Sequence, residues 1–128
     1  MQDQLTRKIT VLLIDDEDDF RELAEKRLKK RGFAVCTAAG CQEAMACLDS
    51  SCPPDVVILD LNMPKVNGLQ CLHYIKEKQP QVPVIMLTGH ASVDTGVEGI
   101  RLGAFDYCLK PIELEELLEK IHLAIRSA

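Results

Sequence analysis

The chain has 128 residues, 47% of them hydrophobic, and a formal net charge of -5. This is the size of one domain with room for a buried core, and the composition excludes a disordered chain. The acidic balance provides no basic footprint for nucleic acid, no apolar run approaches the roughly 18 residues that cross a bilayer, and the N-terminal MQDQLTRKIT lacks the apolar stretch of a signal peptide, so a cytoplasmic protein is expected.

Residues 9–14, ITVLLI, form a β-branched and apolar run that predicts a buried strand, and it runs directly into Asp15-Asp16-Glu17-Asp18-Asp19. From Phe20 the apolar residues fall at helical spacing, with Leu23, Ala24 and Leu28 following, until Gly32 ends the helix. The acids of its first turn complement the helix dipole; for Glu17 to Asp19 that solvated role suffices. A short strand is expected over 33–37, then a helix with Ala44, Cys47 and Leu48 inside, and a break over 50–54. Residues 56–60, VVILD, read as a strand buried on both faces that carries Asp60 to its C-terminal lip. Asn62, Met63, Pro64 and Asn67-Gly68 then make a loop.

A helix over 68–78 buries Leu69, Leu72 and Ile75, and Pro80 and Pro83 bound the turn after it. Residues 84–87 predict a fourth buried strand, ending in Thr88-Gly89. A helix over 91–102 carries Val93, Val97 and Ile100, and a last strand over 104–109 ends in Lys110-Pro111. Leu114, Leu117, Leu118, Ile121, Ala124 and Ile125 form the stripe of a closing helix. Five strand-helix units with short connections imply an α/β fold: a doubly wound, flavodoxin-like parallel sheet in the order 2-1-3-4-5.

In that order the strand ends bring Asp15, Asp16, Asp60, Thr88 and Lys110 to one lip. Clustered carboxylates repel one another, a divalent cation relieves that, and an all-oxygen set selects a hard ion such as Mg²⁺ over zinc. Thr88 and Lys110 suit a phosphoryl group, which makes Asp60 a candidate nucleophile. The Gly-rich phosphate loop that a nucleotide kinase or NTPase uses is absent. The six cysteines form no CxxC pair and have no His at zinc-ligand spacing, so reduced structural thiols are expected.

From about residue 8 to 125 the chain resembles the receiver domain of two-component response regulators. LLIDDE, VVILDLNMPKVNG, IMLTGHAS and FDYCLKP carry the resemblance, each weak alone and strong together. It implies one receiver domain over 1–128 (core about 8–126, no effector domain), with Asp60 accepting phosphate from a sensor histidine kinase or phosphotransfer protein. It further implies that Asp16 and Asp60 ligate Mg²⁺ directly, that Asp15 acts through water, and that the Asn62 carbonyl completes the set. Thr88 and Lys110 would contact the phosphoryl group, Tyr107 would change rotamer on activation, and the Lys110-Pro111 bond would be cis.

A downstream effector would then use the 92–125 face, a homodimer could form on activation, and only self-catalysed phosphotransfer and autodephosphorylation are expected. The segment TGHASVDTGVEGIRLGAFDY resembles receivers that precede ATPase-type transcription activators, so a piece of a longer regulator stands beside a stand-alone receiver. A haloacid-dehalogenase-like phosphatase would want an Asp where Asn62 stands, and a receiver that never takes phosphate would have lost an acid or the lysine. His90 would tune phosphoryl lifetime, while His73 and His122 face solvent. Gly96 and Gly99 either weaken their helix, letting phosphorylation remodel it, or allow close packing on a neighbour.

Overall fold

The computed structural model describes residues 8–49, 53–61, 68–89 and 93–127. Within them five strands alternate with five helices: β1 (Thr10–Ile14), α1 (Asp18–Lys30), β2 (Ala34–Ala38), α2 (Cys41–Leu48), β3 (Val56–Asp60), α3 (Gly68–Lys78), β4 (Val84–Thr88), α4 (Val93–Arg101), β5 (Asp106–Leu109) and α5 (Leu114–Ser127). The sheet is parallel throughout, in the order β2-β1-β3-β4-β5. This is the doubly wound topology that the strand-helix alternation implies. Asn62, Met63, Pro64, Asn67 and His90 lie outside the described residues.

The apolar runs of the central strands feed two cores, because successive side chains of a strand point to opposite faces. Leu12, Ile14, Val57, Leu59, Val84 and Met86 meet α2 and α3 on one side. Val11, Leu13, Val56, Ile58, Ile85 and Leu87 meet α1 and α5 on the other. Nearly all of these side chains are completely buried, at about 1.5–3 kcal/mol of transfer free energy each. That term holds β1, β3 and β4 in the centre and leaves the less apolar β2 and β5 at the edges.

The helix ends follow local rules. Asp18 and Asp19 occupy the first turn of α1, and Arg27, Lys29 and Lys30 the last. Gly32 takes φ +95°, a conformation costly for any residue with a Cβ, and the Phe33 N–H returns to the Leu28 carbonyl.

Three side chains of the expected helix stripes are turned outward. Leu23 is 49% exposed, Val97 50% and Ile100 43%. Among the described side-chain positions of α4 the buried one is Gly99, where a Cβ would lie 2.2 Å from the Met86 thioether. At Gly99, therefore, close packing is the reading that the structure supports.

The cysteine expectation also needs correction. Cys41 and Cys71, 30 residues apart, are joined in a disulfide with a Cα–Cα distance of 5.8 Å. The reason is tertiary: α2 and α3 pack side by side on one face of the sheet, so their first turns meet. Cys36, Cys47 and Cys108 are thiols.

Candidate functional site

The register of the sheet assembles the site. Ile14 pairs with Leu59, Asp60 with Leu87, and Thr88 with Leu109, so the residues following β1, β4 and β5 emerge beside the end of β3. Asp15 is fully buried, Asp60 is 2% exposed and Thr88 3%, while Asp16 is exposed. Backbone hydrogen bonds hold this lip in place: Asp15 N–H to the Ala38 carbonyl (3.1 Å), Leu61 N–H to the Leu87 carbonyl (2.8 Å) and Lys110 N–H to the Thr88 carbonyl (2.8 Å). The Lys110-Pro111 peptide bond is cis.

Lys110 crosses two strands to join the acids. Its ammonium lies 2.8 Å from Asp15 Oδ2, 3.3 Å from Glu17 Oε1 and 3.6 Å from Asp60 Oδ2, and sits 4.4 Å above the Phe20 ring. Burial alone would pull this ammonium towards neutrality. The hydrogen bond and charge of Asp15, helped by Asp60 and Glu17, outweigh it and hold the group above the ordinary lysine range. Lys110 is therefore a fixed cation at neutral pH. The other Asp15 oxygen, Oδ1, accepts from the Glu17 N–H at 2.8 Å, and the Asp15 carbonyl accepts from Arg21 Nη1 at 2.7 Å. Asp15 is thereby pinned from both sides.

Asp15, Asp16 and Asp60 each offer an oxygen, and the three atoms lie within 4.8 Å of one another. Three carboxylates against one ammonium leave the cluster net negative, with two of the acids out of water. This all-oxygen set fits a hard divalent cation and lacks the sulfur and nitrogen donors that zinc favours.

Asp15, Asp16, Asp60, Thr88 and Lys110 thus share one lip, as their places at the strand ends predict. Tyr107, on β5 opposite Met86 in register, is partly buried against the core on the α2 and α3 side. His73 and His122 are exposed; His73 lies 3.6 Å from Glu77, and the His122 ring leans on Phe33. Two contributors escape a sequence reading. Glu17 does more than favour a helix dipole, since its carboxylate reaches Lys110, and Phe20 supplies the ring beneath that ammonium. Glu17 adjoins Asp15 and Asp16, a hint available in the run itself; for Phe20 the helical stripe indicates only core.

The family model for the response regulator receiver domain matches residues 11–122. The chain is 37% identical over 107 residues to the regulatory protein AtoC of Escherichia coli, covering 84% of this chain and 23% of that protein. It is 36% identical over 115 residues to the response regulator protein PilR of Pseudomonas aeruginosa, covering 90% and 26%. Among solved structures it is similar to a response regulator receiver domain from Clostridium thermocellum, with a TM-score of 0.87 and 35% identity, covering 93% of this chain and 95% of that one. The chain belongs to the response regulator receiver domain family, whose members are signalling switches. It spans about a quarter of the length of these two curated relatives.

Proposed function

We propose that this chain works as a phosphorylation-activated switch with Asp60 as the phosphoacceptor. The observation that carries the reading is the buried Asp15–Lys110–Asp60 bridge beside an exposed third acid, at the lip where Thr88 also ends its strand. Asp60 is the acid within this group that stands at the end of the central strand. One of its oxygens attacks the phosphorus of a phosphohistidine on a sensor kinase or phosphotransfer protein. The P–N bond breaks, and the electron pair returns to the imidazole.

Asp15, Asp16 and Asp60, with the Asn62 main-chain carbonyl, would hold Mg²⁺, which supplies charge neutralisation for the incoming phosphate. Lys110 would exchange its Asp60 contact for a phosphoryl oxygen, and the Thr88 hydroxyl would donate to another. Thr88 moving towards the phosphoryl group would leave space for Tyr107, and the 92–125 face would change its preference for a downstream effector or a second copy. Supporting this, Val97, Ile100, Phe105 and Leu109 expose apolar surface on that face. Water attacking the same phosphorus ends the signal by autodephosphorylation.

This reading treats residues 8–126 as one receiver unit acting in the cytoplasm; among the described residues, no helix is long and apolar enough to cross a membrane. Incubation with acetyl phosphate and Mg²⁺, followed by intact-mass spectrometry, tests it. One phosphoryl adduct is expected on the wild type and none on Asp60→Asn or after chelation. An adduct surviving in Asp60→Asn would place the chemistry elsewhere.

A further inference from the structure

The face of the sheet covered by α2 and α3 is rich in sulfur, with Cys41, Cys71 and Met86 in its core and Cys36, Cys47 and Met45 packed against it. Besides the Cys41–Cys71 disulfide, Cys36 on β2 and Cys47 in the last turn of α2 bring their Sγ atoms to 2.9 Å. Both side chains are only partly buried, so a small oxidant can reach them, unlike Cys108 in the opposite core. We propose that Cys36 and Cys47 are a redox pair, a dithiol that closes to a disulfide under peroxide and reopens under thiol reductants.

The chemistry balances with hydrogen peroxide as the oxidant. One thiolate attacks a peroxide oxygen, breaking the O–O bond to give a sulfenic acid and hydroxide, which takes up a proton to become water. The second thiol then attacks the sulfenic sulfur. The S–S bond forms, the S–O bond breaks, and a second water leaves. Two electrons pass from the sulfur pair to one peroxide. With the partner sulfur already at contact distance, the second step is intramolecular and outruns further oxidation to sulfinic acid.

The local chemistry sets the pace. Burial, the hydrogen bond and charge of Cys47, and the charge of Glu25 push the Cys36 thiol up to about 11, which favours its protonated form at rest and slows its attack on oxidant. Closure would also have reach. It would join β2 to α2, and Cys41–Cys71 already joins α2 to α3. α3 starts at Gly68, which packs so tightly on Leu61, the neighbour of Asp60, that a Cβ there would lie 2.6 Å from the Leu61 Cα.

The test is graded hydrogen peroxide on the wild-type chain, then quenching, alkylation under denaturing conditions and non-reducing peptide mapping. The expected result is paired loss of alkylation at Cys36 and Cys47, a Cys36–Cys47 linked peptide lighter by two hydrogens, full retention of label on Cys108, and recovery with dithiothreitol. In Cys47→Ser, Cys36 is expected instead to yield a dimedone-trapped sulfenic acid. Full alkylation of both residues after oxidant, independent loss at one of them, or sulfinic acid in place of the crosslink would overturn the proposal. Because no phosphoryl donor is present, the outcome is independent of the reading of Asp60.

Discussion

The two faces of the sheet are built from different materials. On the side of α1 and α5 the core is almost entirely branched aliphatic, with Leu28, Ile58, Ile85, Leu87 and Ile121 completely buried and Cys108 its single buried sulfur among the described residues. On the side of α2 and α3 the core contains Cys41, Cys71 and Met86, with Cys36, Cys47 and Met45 against it. Branched side chains have few rotamers and pack to one arrangement, whereas thioethers and thiols are adaptable and open to oxidation. The difference divides the labour of the fold. Phe20 and Lys110, which stiffen the acidic lip, stand with the aliphatic side, while Tyr107 and the close approach of Gly99 to Met86 belong to the sulfur side.

The largest expected effect tests the rigid face. Ile121→Ala should cost about 2–5 kcal/mol in urea denaturation. The matched volume-conserving swaps Ile121→Leu and Met86→Leu should each cost less than about 1.5 kcal/mol, with the larger loss at Ile121. Equal losses for these two swaps would erase the distinction. Next comes the lip: Mg²⁺ at roughly 100 times its dissociation constant should add about 2.7 kcal/mol, seen as a rise in melting temperature that chelator reverses and Asp60→Asn diminishes. A smaller loss, about 1–3 kcal/mol, is expected for Gly68→Ala, because the new Cβ would meet the Leu61 backbone, which cannot turn aside as a side chain can.

Gly99→Ala sharpens the comparison further, since the obstacle there is the flexible tip of Met86. In a Met86→Ala background the same change should stabilise by up to about 1 kcal/mol through helix propensity, and a double-mutant cycle should show coupling with Met86. The smallest effect concerns the Lys120–Asp106 pair at the edge of the aliphatic side, 2.7 Å apart and partly exposed. Its hydrogen bond to Asp106 holds Lys120 above 10.5, so its contribution is present below that value and lost as pH rises through the folded-state value. Lys120→Gln should therefore cost less than about 1 kcal/mol at neutral pH, a gap that closes in alkaline melts.

Much of the architecture is legible in the chain because its signals are local. Residues 11–14, 56–59 and 84–87 are uninterrupted apolar runs, and such runs alternating with helical stripes admit few arrangements other than a covered parallel sheet. Asp15, Asp60, Thr88 and Lys110 each sit at or just past a strand end, and a parallel sheet carries all such residues to one edge. Their convergence is therefore a property of sequence order, given the topology.

Other features depend on which surfaces meet. The α4 stripe of Val97 and Ile100 has helical spacing, yet the close approach of Gly99 to Met86 leaves both exposed, and spacing alone does not show which face a neighbour covers. Glu17 and Phe20 find Lys110 across about 90 residues of chain, through strand pairing and not through any local pattern. The cysteines make the same point: Cys41 and Cys71 lie on different helices, and Cys36 and Cys47 on a strand and a helix, in spacings that match no motif. By itself the sequence determined the order of the elements and the lip at which the acids gather, because burial and backbone periodicity act over a few residues. Only the tertiary structure decided which sulfurs touch, which helix face turns inward and what surrounds the lysine, because those contacts join side chains that the chain keeps far apart.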